Sequence, residues 1–445
     1  MNENKPASVT EPQGTPKQAG EAPSAMDWVD RSVWTSRMLQ RLAASQFTTK
    51  WFALWDKVWK ENTLWNASLQ VILNHGSAGV DRQTTEQFKG DWAEEIRLLS
   101  EELRTGVYQP HPARRVYIEK PGTSELRPLG IPSVRDRVVQ GALKKVLEPI
   151  YERDFLVNSY GFRPGKSAQQ ALRRVESLLE SGHVYIVDAD LKGYFDSIPH
   201  DRLMQVLGEK ITDGSILGLI QKYLDAGVME EGKGWERSLS GTPQGSVISP
   251  LLSNIYLHPL DVLMGINGRE MVRFADDFII LCRSQKEAES ALQEIQQWVT
   301  EVGLRLHPTK TRIATLDTGF EFLGFRYLRN RAGHWIKLPR KKSVLKLREK
   351  IRERTNRRRS GPMTDIIAEL NPTLKGWYGY FRHSLPSSLD SVDCWIRKRL
   401  RSLLRYRQKR KGMSRGRENS EYPNRWFKDR GLFTLWDDDL RTKQS

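Results

Sequence analysis

An α+β fold is predicted by three stretches of the chain. Met271-Val272-Arg273-Phe274 and Phe278-Ile279-Ile280-Leu281 flank Ala275-Asp276-Asp277, which reads as strand, tight turn, strand. Val184-Tyr185-Ile186-Val187-Asp188-Ala189-Asp190 reads as another strand, whose alternation puts Asp188 and Asp190 on one face. Towards the C-terminus the apolar residues fall instead at helical spacing.

The remaining elements follow in chain order. Residues 1–25 are rich in Pro, Gly, Ala, Gln and Ser without periodicity, a disordered tail by composition, and folding begins near Asp27. Residues 26–106 form a helical extension. Within it Trp51, Leu54, Trp55, Val58 and Trp59 predict an amphipathic helix with a bulky face, and acidic helical sequence covers residues 91–103 after a turn at 74–79. Arg114-Arg115-Val116-Tyr117-Ile118-Glu119-Lys120 then pairs through a Pro121-Gly122 turn with Leu126-Arg127-Pro128-Leu129, a hairpin presenting Lys120 and Arg127 as a basic pair suited to a triphosphate.

Gly161-Phe162-Arg163-Pro164-Gly165-Lys166-Ser167 looks superficially like a phosphate loop, but only three residues separate Gly161 from Gly165-Lys166 where the motif needs four. We expect it to cap a helix over residues 167–179 and to leave Arg163 free for nucleic-acid phosphate. Downstream, Val344, Leu347 and Ile351 mark one helix. Asn371 and Pro372 read as N-cap and first residue of a second, carrying Leu374, Trp377, Tyr378 and Phe381. Leu389, Val392, Ile396, Leu400 and Leu403 mark a third.

Charge points to the partner. The 445 residues hold 71 Lys and Arg against 54 Asp and Glu, a net charge of +17 that attracts phosphate backbones. No apolar run reaches the roughly 18 residues a membrane span needs, and no signal-peptide core opens the chain, so a cytoplasmic protein is expected. With Cys282 and Cys394 the only cysteines, neither a disulfide framework nor a Cys-rich zinc site is possible. Within this basic chain Asp190, Asp276 and Asp277 form an acidic island. Adjacent carboxylates repel, and a divalent cation makes such a cluster favourable. Two hard cations about 3.5–4 Å apart on such oxygens suit nucleotidyl transfer.

Arg127-Pro128-Leu129-Gly130-Ile131-Pro132, Ser159-Tyr160-Gly161-Phe162-Arg163-Pro164-Gly165, the Asp190 strand, Gly241-Thr242-Pro243-Gln244-Gly245-Ser246-Val247-Ile248-Ser249-Pro250 and Phe274-Ala275-Asp276-Asp277 follow one another in the order found in reverse transcriptases. With Asn254-Ile255-Tyr256-Leu257-His258-Pro259-Leu260-Asp261 and Gly376-Trp377-Tyr378, the chain resembles the reverse transcriptase and maturase proteins encoded within bacterial group II introns, from about Trp34 to Phe433. The resemblance implies a right-hand polymerase, with fingers and palm over residues 107–335, a thumb or maturase domain over 336–410 and a basic segment over 411–445.

It implies further that Asp190, Asp276 and Asp277 carry two Mg2+ ions, and that Phe195 is a steric gate beneath the sugar of the incoming nucleotide. Tyr194 or Phe195 standing simply in the core is the competing reading. Gln244 matches a nucleotide contact, and Lys120 and Arg127 match triphosphate ligands. Phe322-Leu323-Gly324-Phe325 matches the primer grip, where a glycine between aromatics permits close backbone approach. Arg340-Lys341-Lys342 and Arg357-Arg358-Arg359 supply positive density for RNA phosphates.

The implied partners are the intron RNA, a DNA target and its primer end, and deoxynucleoside triphosphates. The implied activity is RNA-directed DNA synthesis with assistance to splicing and retrohoming. No paired-cysteine endonuclease motif follows Phe433, so priming from an existing DNA end is expected. The competing readings are a reverse transcriptase domesticated for a non-mobile role such as host defence, a splicing-only RNA-binding protein, and a nuclease using the same carboxylates.

Overall fold

The computed structural model describes residues 26–119, 126–237, 240–356, 359–410, 412, 414 and 416–436. The expected disordered tail and the Pro121-Gly122 turn lie outside the described residues. Among the described residues eleven strands follow in order: β1 (Ala113–Glu119), β2 (Leu126–Ile131), β3 (Tyr185–Asp190), β4 (Val228–Glu230), β5 (Gly234–Glu236), β6 (Glu270–Phe274), β7 (Asp277–Cys282), β8 (Arg312–Thr315), β9 (Phe320–Phe322), β10 (Phe325–Arg329) and β11 (Trp335–Pro339). They make three sheets among the described residues, ordered β2-β1-β4-β5, β6-β7-β3-β8 and β11-β10-β9. With helices before and after, this is an α+β right hand of fingers, palm and thumb.

The palm is β6-β7-β3-β8, all neighbours antiparallel. Period-two alternation divides its side chains between two cores. Val187, Ala189, Phe278 and Ile280 pack with helices Ser249–Ile266 and Gln285–Glu301, whereas Ile186, Val272, Ile279 and Leu281 pack with helix Ala168–Glu180, β9 and β10. Helix Ala168–Glu180 starts where expected, because Ser167 and Gln170 form a reciprocal capping box.

In the fingers, β1 and β2 pair antiparallel from Arg114↔Ile131 to Glu119↔Leu126, as the hairpin reading requires. The loop after β5 folds back on β2. Gly130 N–H donates to the Gln244 carbonyl at 2.7 Å, and a side chain at Gly130 would meet Pro243 Cβ at 3.0 Å. Gln140, on the buried helix Val134–Glu152, accepts from Ser246 Oγ and Val247 N–H.

Three elements differ from the sequence reading. The tryptophan-rich segment is not one helix: only Trp55–Trp59 is helical, and Trp51 instead bridges to Ile211. A single carboxylate explains the break. Asp213 caps helix Gly214–Asp225 through Oδ1 and accepts the Leu54 and Trp55 N–H groups through Oδ2, tying the extension to the palm. Asn371 and Pro372 lie inside one helix, Met363–Phe381, and do not start a new one. The Asn371 side chain bonds across to Gly431 O and Phe433 N–H, a tertiary use that an N-cap reading does not anticipate.

The C-terminal segment is also more than a basic tail. Residues 416–436 pack on the thumb, with Phe427, Leu432 and Leu435 in the same core as Leu347, Ile351, Ile366, Leu374, Leu389 and Leu400. Asp393 Oδ2 accepts both the Leu435 and Trp436 N–H groups at 2.9 Å. Trp377 packs against the thumb core and the palm-side core together, joining the two bodies.

Candidate active site

The β3/β7 register sets the site. Asp190 lies opposite Asp277 across the ladder, and Asp188 opposite Ile279, one step deeper on the same face as Asp190. Asp276 fills the turn between β6 and β7, entered through Ala275 at φ 60°. Asp188, Asp190, Asp276 and Asp277 line a cavity of about 680 Å³ together with Arg127, Thr309, Lys310, Arg312, Glu321, Phe322, Leu323, Arg340 and Lys342.

Burial disfavours the ionised forms of Asp188, Asp276 and Asp277. Burial, followed by the charges of Asp276, Asp188 and Asp190, pushes Asp277 up to about 7. Asp188 is pushed up to about 6, mainly by burial, with Arg312 opposing and Asp190 reinforcing. Asp276 is raised by burial against its own backbone hydrogen bond. Clustered hard oxygen donors of like charge suit a divalent cation, which offsets their repulsion. The described carboxylates do not stand as a closed cage of three or more ligands. Lys310 Nζ lies 2.6 Å from Asp190 Oδ2, and Arg312 Nε is 3.8 Å from Asp188 Oδ2.

The other predicted residues are distributed as follows. Phe195 is half-buried and Tyr194 fully buried, with the Tyr194 hydroxyl donating to Ser253 O at 2.8 Å. Tyr194 is therefore the core residue of the pair. Thr242 N–H donates to the Phe195 carbonyl at 2.7 Å, two residues before Gln244, which fixes the backbone of Phe195 against the Gln244 loop. The Phe195 ring meets Phe162, which is 49% exposed at φ 59°. Arg127 reaches the carboxylate cavity, whereas Lys120 lies outside the described residues.

Phe322-Leu323-Gly324 forms the β9–β10 turn, with Leu323 at φ 46° and Gly324 at φ 85°. Phe322 and Leu323 face the cavity. The Leu323 carbonyl accepts from Tyr380 Oη at 2.8 Å and the Gly324 carbonyl from Arg340 N–H at 2.9 Å, so the turn is gripped by the thumb.

One basic assignment needs correction. Arg163 is not free for phosphate: its guanidinium bonds Glu152 in bidentate fashion and reaches the carbonyls of Phe155, Leu156 and Ser159, leaving the side chain 4% exposed. Arg340 and Lys342 line the carboxylate cavity, where the buried Arg340 Nε has no protein partner. Lys341 is exposed, Arg359 is paired with Glu369, and Arg357 and Arg358 lie outside the described residues.

Sequence reasoning missed Lys310, Arg312 and Glu321, whose flanking residues carry no distinctive pattern. It also passed over Arg273, a charge inside an apolar strand, which is itself a flag.

Residues 118–327 match the family described as reverse transcriptase (RNA-dependent DNA polymerase), and residues 344–422 match the group II intron maturase-specific domain. The chain is 36% identical over 293 residues to Protein YkfC of Escherichia coli (strain K12), covering 57% of this chain and 76% of that protein. It is 43% identical over 168 residues to the group II intron-encoded protein LtrA of Lactococcus lactis subsp. cremoris, covering 38% of this chain and 28% of LtrA. An uncharacterized 91 kDa protein in the cob intron of Schizosaccharomyces pombe is 32% identical over 282 residues, covering 50% of this chain and 35% of that protein. Among the described residues no helix is long and apolar enough to cross a membrane. The polymerase-type carboxylates on an antiparallel palm, followed by a helical body that the maturase description covers, place this chain in the family of group II intron-encoded reverse transcriptase and maturase proteins.

Proposed function

We propose that the carboxylate cavity copies RNA into DNA and that the thumb side binds the group II intron RNA, assisting splicing and retrohoming by target-primed reverse transcription. The observation that carries this reading is the pairing of Asp190 with Asp277 across β3 and β7, beside Asp276 and facing the Phe322-Leu323 turn.

In this reading Asp190, Asp276 and Asp277 hold two Mg2+ ions. Those ions supply activation of the primer hydroxyl and stabilisation of the leaving phosphate oxygen. The protein's own groups do the rest. Arg127 and Lys120 bind the triphosphate as cations, Gln244 contacts the incoming nucleotide, and the Phe195 ring beneath the sugar excludes a 2′-hydroxyl by its volume. Phe322, Leu323 and Gly324 hold the primer end through backbone and apolar contact. Arg340 and Lys342 add positive charge where nucleic-acid phosphates enter. The same carboxylates in a nuclease have no use for a gate on the sugar, which favours synthesis over cleavage.

The RNA-binding half is tested by neutralising Lys341, Arg357, Arg358 and Arg359 and titrating structured intron RNA against salt. Removing one cation from a phosphate flattens the log-affinity versus log-salt slope by about 0.7–0.9. Splicing assistance at low magnesium falls with it. An unchanged slope and unchanged splicing contradict an RNA-contacting role for these charges.

A further inference from the structure

Arg273 lies on β6, three residues before the aspartate turn, and is fully buried. Its guanidinium meets Asp261, also fully buried, through both Nε, 2.7 Å from Oδ1, and Nη2. Its Nη1 donates at 2.9 Å to Asn254 Oδ1 and at 2.9 Å to the carbonyl of Ala275. Asn254 and Asp261 are seven residues apart on helix Ser249–Ile266, two turns along one face. Asn254 Nδ2 in turn donates to the Gly161 carbonyl at 2.9 Å. Gly161 is pressed so closely on the turn that a Cβ there would stand 2.2 Å from Ala275 N.

A buried ion pair adds little net stability, because desolvation offsets the Coulombic gain. A non-glycine residue at positive φ is strained and persists only where its surroundings over-determine it. Here the surroundings are Arg273 Nη1 on the Ala275 carbonyl and Gly161 pressed against the Ala275 nitrogen. The turn they clamp presents Asp276 and Asp277.

We propose that Arg273 is a positioning residue of the polymerase site: braced by Asp261 and Asn254, it holds the Ala275 carbonyl and thereby fixes the strained turn that aims Asp276 and Asp277 into the cavity. The inference rests on the proposed role of those aspartates, but its mechanical part stands on the hydrogen bonds alone. It gives Asn254 and Asp261, two of the residues that narrow the family resemblance, a physical task.

The test compares the parent protein with R273K, which keeps the charge but not the planar fork, and N254S, which removes the amide that accepts from Arg273 and donates to Gly161 while leaving the buried ion pair. Mn2+ binding is followed by electron paramagnetic resonance, alongside single-nucleotide extension kinetics and thermal unfolding. Misaimed carboxylates lower kcat by about tenfold to a hundredfold in R273K with nucleotide KM within about twofold, and weaken Mn2+ binding several-fold. N254S shifts both in the same direction by less. Mn2+ binding and kcat within about twofold of the parent in the folded variants, whatever their melting temperatures, overturn the proposal. Should R273K fail to fold, N254S decides by the same readouts. A parent that binds Mn2+ but does not extend a primer contradicts the polymerase reading instead, and the Mn2+ comparison still judges Arg273.

Discussion

Lys310 Nζ stands 2.6 Å from Asp190 Oδ2, so an ammonium occupies one of the three proposed ion-binding carboxylates. Ion and lysine compete for the same oxygen. The pair is largely solvent-exposed, and such pairs contribute about 0.2–1 kcal/mol. Lys310→Met is therefore expected to tighten Mn2+ binding to the nucleotide-free protein by up to about fivefold. Equal affinity in a direct titration means that the lysine does not gate the site.

Protons compete as well. Asp277 is pushed up to about 7 and Asp188 to about 6 by burial and their acidic neighbours. Asp277 must lose its proton to bind a cation, so affinity for Mn2+ should fall as pH drops from 7.5 to 6, by up to about tenfold over that range. The stability effect has the opposite sense. A folded pKa above the unfolded value means that ionisation destabilises, so the penalty is absent near pH 4 and complete above about 7. Asp277→Asn should raise the melting temperature of the ion-free protein at pH 8 and leave it unchanged at pH 4. Asp277 also meets the water of the cavity, so the gain is limited to about 1 kcal/mol. A gain that is equal at both pH values contradicts the assignment.

Phe195→Ala removes the proposed gate without touching a carboxylate. Ribonucleotide incorporation should rise at least about tenfold relative to deoxynucleotide incorporation, because the discrimination is steric. A variant that extends with deoxynucleotides and rejects ribonucleotides as the parent does clears Phe195 of that role.

Arg163→Ala separates structure from recognition. Removing a guanidinium whose donors are all satisfied inward leaves Glu152 unpaired in a poorly solvated place, which costs about 3–5 kcal/mol. The denaturation midpoint should drop sharply, while the salt dependence of RNA binding measured on the folded protein stays the same. A flatter salt slope with unchanged stability restores the phosphate-binding role that the sequence suggests.

These cases show what a sequence exposes. Local patterns were legible: the alternation that puts Asp188 beside Asp190 on β3, the tight Asp276-Asp277 turn, the cap at Ser167 and the spacing of Leu389 to Leu403 all depend on residues a few positions apart. What was not legible depends on partners far along the chain. Arg163 looks like a free phosphate ligand until Glu152 and three carbonyls are folded around it. Pro372 reads as a helix start, yet a helix already running from Met363 passes through it, and Asn371 faces a segment about sixty residues away. Arg340 and Lys342 belong to a basic run by sequence and to the carboxylate cavity by position, because the β9–β10 turn brings the start of the thumb beside the palm.

The most direct test of the central claim is extension of a DNA primer on an RNA template by the parent protein and by Asp276→Asn, with RNA binding measured on the same preparations. The substitution keeps the size of the side chain and removes one charge from the proposed ion site. Loss of extension by at least about a thousandfold with RNA affinity within about twofold is the expected result. Extension by Asp276→Asn near the parent rate contradicts the assignment of this cavity as the site of DNA synthesis.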